Sequence, residues 1–142
     1  MTVIIEGTVV KGFGVANKNI RFQMPHLVWQ FPDIKNIYPG SINVLLEKPL
    51  RILSYDYTTL PTPWWDVDDR NPGKWVSERF GFLEIKFEYP VGGPPHRAWF
   101  FDCHKSKYHN DPIRFEIISE KIDNLSNGQR CKIYIEKSKV QE

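Results

Sequence analysis

Apolar and polar residues alternate in short runs along most of this chain, with the two-residue period of a β-strand. Val3-Ile4-Ile5-Glu6-Gly7-Thr8-Val9-Val10 is rich in β-branched residues and partly alternating, which predicts an opening strand. A Gly12-Phe13-Gly14 turn comes next, and then a second apolar-polar stretch, Ile20-Arg21-Phe22-Gln23-Met24, reads as another strand. Leu27, Val28, Trp29 and Phe31 suit a short helical turn that Pro32 interrupts. Tyr38-Pro39-Gly40 signals a turn, and Ser41 to Leu46 leaves it as a strand. Arg51 to Tyr57 alternates again.

The strongest strand signal is Phe80 to Tyr89, with Phe82, Leu83, Ile85 and Phe87. Pro90 to Pro95 turns the chain and Ala98 to Phe101 runs back, which predicts a hairpin. Ile113 to Ile118 and Lys132 to Ile135 complete the set. Several short strands joined by turns, with little helix, predict a mainly β fold closed into a barrel. The segment 58–79 breaks the pattern. Its prolines, its Trp64, Trp65 and Trp75 and its acids Asp66, Asp68 and Asp69 predict a long loop insertion. The stretch 137–142 reads as a polar, frayed tail.

Composition and charge add to this picture. A chain of 142 residues, 41% hydrophobic and 25% charged, matches one domain, 1–142, with a core. A formal net charge of +2 offers no polybasic field for nucleic acid or anionic lipid. No run of about 18 apolar residues predicts a membrane span. The opening six residues turn polar too soon for a signal peptide, and two cysteines are too few for a disulfide scaffold. The expected compartment is the cytoplasm.

Two short turns hold the candidate chemistry. In Lys11-Gly12-Phe13-Gly14-Val15-Ala16-Asn17-Lys18 the glycines let main-chain N–H groups approach an anion, although a plain β-turn would use them equally. The run lacks the Gly-Lys-Ser/Thr ending of a Walker loop and the third glycine of a dinucleotide fingerprint. In Tyr38-Pro39-Gly40-Ser41-Ile42-Asn43, the side chains of Ser41 and Asn43 are two apart, so a strand turns both to one face. A hydroxyl and an amide oxygen there suit Mg²⁺ shared with a phosphate; turn hydrogen bonding to local backbone is the simpler use. His26, His96, His104 and His109 form no zinc pattern, and the acids at 66–69 read as a solvated run. Trp64, Trp65 and Trp75 either close over a flat ring, cap one end of the barrel, or anchor a protein partner.

The order of strand, Gly-x-Gly turn, strand, short helical segment and Tyr-Pro-Gly-Ser-Ile-Asn-Val resembles the archaeal CTP-dependent riboflavin kinases. Gly40-Ser41-Ile42-Asn43 is similar to that family's Gly-Thr-Leu-Asn segment. Lys105-Ser106-Lys107-Tyr108-His109 with Phe115-Glu116-Ile117-Ile118 is similar to its flavin segment, and Asn127 to Ile133 to its final turn and strand. The resemblance covers about two thirds of the chain, discontinuously.

It implies a small closed six-stranded barrel of the riboflavin-kinase-like, cradle-loop type. It implies CTP or another nucleoside triphosphate on Gly12, Phe13, Gly14, Val15, Ala16, Asn17 and Lys121, and Mg²⁺ on Ser41 and Asn43. It places a flavin-like alcohol against Lys107, His109 and Glu116. The implied reaction is phosphoryl transfer to a primary alcohol such as riboflavin, giving FMN, with Glu116 orienting or deprotonating the hydroxyl. Read alone, Glu116 is equally a solvated strand acid. The chain departs from the family at Val15-Ala16-Asn17, at Lys107 in place of a threonine, and at Lys121-Ile122-Asp123-Asn124 in place of a Leu-Arg stretch. Those departures motivate an alternative, a non-catalytic nucleotide- or flavin-binding barrel acting as a sensor or interaction module.

Overall fold

The structure is a computed structural model that describes residues 1–11, 18–65, 75–103 and 111–142. Six antiparallel strands form a closed barrel: β1 (Thr2–Lys11), β2 (Ile42–Leu46), β7 (Phe80–Glu88), β8 (Pro95–Cys103), β9 (Arg114–Ser119) and β10 (Arg130–Glu136). They neighbour one another in the order β10-β1-β2-β9-β8-β7, and pairing of β7 with β10 closes the ring. The alternation in the sequence becomes the wall of this barrel. Ile5 and Val9, Ile42, Val44 and Leu46, Ile85 and Phe87, Phe100, Phe115 and Ile117, and Ile133 and Ile135 all point into one buried core. The expected hairpin is β7–β8, in register from Phe80↔Cys103 to Glu88↔Pro95.

Some of the intervening positions on β7, β8 and β9, which point outward, are apolar too. Phe80, Phe82, Trp99, Phe101 and Ile118 form a second buried cluster on the outer face. A helix, α1 (Lys18–Gln30), supplies its cover through Leu27, with Met24, Val28 and Phe31 packed against it. These positions recur every three to four residues, which is one face of a helix. The stretch Ile20 to Met24, expected as a strand, is therefore part of α1. Five alternating residues satisfy either period, and the longer helical stripe decides. Phe31 donates its N–H to the Leu27 carbonyl at 2.7 Å, and Pro32 then opens a short 3₁₀ turn, Pro32–Ile34.

Two other segments differ from expectation. Within 58–79, β5 (Thr62–Trp65) and β6 (Trp75–Glu78) pair as a ribbon with Trp65 and Trp75 in register. Only one partner strand is needed, so Pro63 costs no central ladder bond. The stretch 137–142 is docked. It forms a 3₁₀ turn and β11 (Val140–Gln141), which pairs with β3 (Arg51–Ile52). Val140 is buried in the barrel core, and that apolar anchor outweighs the polarity of its neighbours. Among the described residues no helix is long and apolar enough to cross a membrane.

The last strand, β4 (Tyr57–Thr58), extends the sheet beyond β7. Just before it, Tyr55 lies over the barrel end, its hydroxyl donating to the Asp102 carboxylate at 2.7 Å. Gly81 makes room for this ring, since a Cβ there would stand 2.8 Å from Tyr55 Cδ1. Burial, then the hydrogen bond and charge of Asp102, raise the phenol well above its ordinary range. The folded state thus holds the proton more tightly than the unfolded chain. The stabilisation is complete below the ordinary tyrosine value, about pH 10, and declines as pH rises above it. Tyr55→Phe should cost about 1–3 kcal/mol at pH 7 and flatten the stability loss above about pH 10. Gly81→Ala should lower stability by displacing the same ring. Urea titrations at several pH values check both; an unchanged midpoint in Tyr55→Phe would refute the role given to this bond.

Candidate functional site

Because β2 lies between β1 and β9, its outward side chains meet neighbours from both. Ile42, Val44 and Leu46 are buried in the barrel, so Ser41 and Asn43 fall on the opposite side, each half-buried. Asn43 stands in register with Glu116 on β9 and with Lys11 on β1. The result is a line of three side chains across three strands: ammonium, amide, carboxylate. Adjacent members are one strand spacing apart, and the two ends about 10 Å apart. Glu116 is half-buried between Phe115 and Ile117, both turned into the barrel core.

The line exists because of an irregularity in β1. Gly7, Thr8 and Val9 pair regularly with Leu46, Leu45 and Val44, but the next partner of β2 is Lys11 rather than Val10. A bulge inserts one extra residue on one strand and re-aims the side chains beyond it. Without it Val10 would face Asn43. With it a cation does, and β1 ends beside Asn43. Helix α1 then begins at Lys18.

A parallel row flanks this line on the same face. Thr8 is in register with Arg130 and Leu45, and Leu45 with Arg114. Arg130 donates to Thr8 Oγ1 at 3.3 Å and forms an ion pair with Glu47. Arg114 lies two residues from Glu116 and is half-buried on the same side. Lys11 on β1 and Arg114 on β9 thus bring positive charge to the two sides of Asn43, beside the Glu116 carboxylate, while Arg130 is paired with Glu47. Neither Lys11 nor Arg114 stands out in sequence. The parity of β9 identifies Arg114 once Glu116 is chosen, whereas Lys11 needs the bulge.

Of the other expected site residues, Gly12, Phe13, Gly14, Val15, Ala16 and Asn17 lie outside the described residues, as do Lys107 and His109. Lys121 is exposed in the turn after β9 and lines a separate cleft with Trp99, His96 and Lys35. It does not join the Lys11–Asn43–Glu116 line.

The donors at Ser41 and Asn43 are neutral oxygens, and Glu116 adds a carboxylate beside them, a set that fits a hard cation sharing its shell with water and phosphate. No cluster of three or more His, Cys, Asp or Glu able to hold a metal occurs among the described residues. Cys131 offers no nucleophile: it is 1% exposed inside the barrel, and burial pushes its thiol up to about 12. Cys131 should resist alkylation by iodoacetamide at pH 8 in the folded protein and react fully in urea, as peptide mass spectrometry would read. Modification of Cys131 in the native state would contradict this burial.

Neither a scan against known protein-family models nor a search of curated proteins finds a match for this chain.

Proposed function

We propose that the outer face of β1, β2 and β9 is the phosphoryl-transfer site of a small-molecule kinase. The donor is a nucleoside triphosphate, with CTP implied by the family resemblance, and the acceptor is a primary alcohol such as riboflavin, which would yield FMN. The observation that carries this reading is the register Lys11↔Asn43↔Glu116, with Ser41 on the same face of β2. The fold agrees with it, since the resemblance implies a closed six-stranded barrel.

In this reading each residue of the line has one task. Lys11 and Arg114 draw the polyphosphate to the face and offset its charge. Ser41 Oγ and Asn43 Oδ1 would hold Mg²⁺, which when bound neutralises charge on the transferring phosphate. Glu116, at the far end of the line, accepts a hydrogen bond from the acceptor hydroxyl and orients it for in-line attack. The hydroxyl oxygen forms the new P–O bond as the bond to the leaving nucleoside diphosphate breaks, and the hydroxyl proton leaves toward Glu116. Such a reaction asks the protein mainly for position and charge, which rigid strands supply.

Incubation with Mg²⁺, riboflavin and each of the four ribonucleoside triphosphates should produce FMN with at least one of them, read by fluorescence after chromatography. Asn43→Ala should lower kcat/KM by on the order of 10²-fold without changing thermal stability. Glu116→Gln should lower kcat more than it raises KM. Absence of FMN with every nucleotide, or full activity in Asn43→Ala, would overturn the proposal.

A further inference from the structure

The segment 50–55 passes over the end of the barrel where β2 finishes and β9 begins. Leu50 donates its N–H to the Pro112 carbonyl at 2.7 Å, and β3 pairs with β11. Leu53 donates to the Lys139 carbonyl at 2.7 Å, and the Tyr55 hydroxyl is fastened to Asp102. Between this strap and the barrel lies a recess of about 440 Å³, within the range of small-molecule sites. Protein interiors pack to the density of organic crystals, so neighbouring side chains close most voids of this size. Here the attachments of the strap hold its two walls apart, and the recess is formed before any ligand arrives.

The walls favour a flat guest. Ile52 and Tyr55 are half-buried and Phe100 is 8% exposed, so all three present surface to the recess, whereas Leu50 and Phe115 contribute almost none. The rings of Tyr55 and Phe100 lie within 16° of parallel with centroids 6.3 Å apart, and Phe100 lies within 29° of Phe115 at 4.3 Å. Rings that share an orientation extend best by offset stacking of another ring. The charged members of the lining, Arg51 and Asp111, are one of each sign, so the recess selects neither an anion nor a cation. Asp111 Oδ1 accepts the Ile113 N–H at 3.0 Å, which fixes that carboxylate in place. A guanidinium only donates and a carboxylate only accepts, a pair that suits a ring bearing both acceptors and donors.

We propose that this recess binds an uncharged heteroaromatic ring compound, its face against Tyr55 and Phe100 and its polar edge toward Arg51 and Asp111. The site stands apart from the phosphoryl-transfer reading. Ser41 precedes the start of β2 and Leu50 lies beyond its end, and Glu116 points outward where Phe115 points into the barrel.

Methyl resonances of the ¹³C-labelled full chain test this, because a ring laid in the recess shifts the Ile52 methyl groups by its ring current. Ile52→Val assigns those signals. Adenosine, cytidine and lumichrome are then titrated, with cyclohexanol as an aliphatic control. At least one ring compound should shift the Ile52 signals and saturate, and the tightest of them assigns a purine, a pyrimidine or a tricyclic ring. Ile52→Trp, which fills the recess with a larger side chain, should weaken that compound by on the order of tenfold. Tyr55→Leu, which keeps an apolar side chain without the ring face, should weaken it about fivefold. Asn43→Ala should leave the titration unchanged, so the kinase reading and this one fail separately. Ile52 signals unmoved by all three ring compounds, equally tight binding of cyclohexanol, or undiminished binding in either recess variant would overturn the proposal.

Discussion

The antiparallel register of β2 between β1 and β9 is the constraint on which both core and candidate site depend. Ile42, Val44 and Leu46 fill the barrel because they sit at alternate positions, and Ser41 and Asn43 face outward for the same reason. A slip of one residue would exchange the two sets, burying an amide and exposing three large apolar groups. Burying that amide without a partner and exposing those side chains would each cost several kcal/mol, so the hydrophobic term enforces the placement of polar groups that contribute little to stability themselves. Closure of the ring by β7 and β10 removes the remaining freedom, since no strand of a closed barrel can shift alone.

The outer face divides its labour between strands. Over the start of β7, the end of β8 and the end of β9 it is apolar and roofed by α1, with Phe82 and Phe101 tilted against each other at 5.3 Å. Over β1, β2 and the start of β9 it is polar, carrying Lys11, Asn43, Thr8, Arg114 and Glu116. Strand β9 crosses the border: Ile118 lies under the roof and Glu116 is the last outward residue before it. The half-buried Glu116 at that edge has one apolar side and one polar side.

Much of this was legible in the sequence, because alternation is a local signal. The β7–β8 hairpin, strand β2 and the shared face of Ser41 and Asn43 all come from residues that are neighbours in the chain. The rest depends on partners distant in sequence. The helix was obscured because Ile20 to Met24 alternates, and its stripe makes sense only against Phe80, Phe82 and Phe101, about 50 residues or more further on. Val140 is a single apolar residue in a polar stretch, and only its place opposite Ile52 in the β3–β11 pair accounts for its burial. The bulge at Val10 leaves no mark in composition, yet it decides which residue faces Asn43. Trp99 reads as core by alternation, and so it is.

A barrel of six strands also dictates where function can reside. Enclosed space grows with strand number, and about eight strands leave an interior that side chains just fill. Here Phe87, Phe100 and Phe115 fill much of the narrower interior, with Phe100 and Phe115 centred 4.3 Å apart, and a recess of about 440 Å³ bordered by Leu50, Ile52 and Tyr55 reaches Phe100 and Phe115. The other places open to recognition are the outward positions of the strands and the turns that join them. Those positions have the opposite parity to the core, and the pattern that fills the barrel therefore also marks the residues able to meet a ligand. Asn43 and Glu116 belong to that outward set and lie half-buried on the polar face, whereas outward Trp99 is buried in the apolar cluster beneath α1.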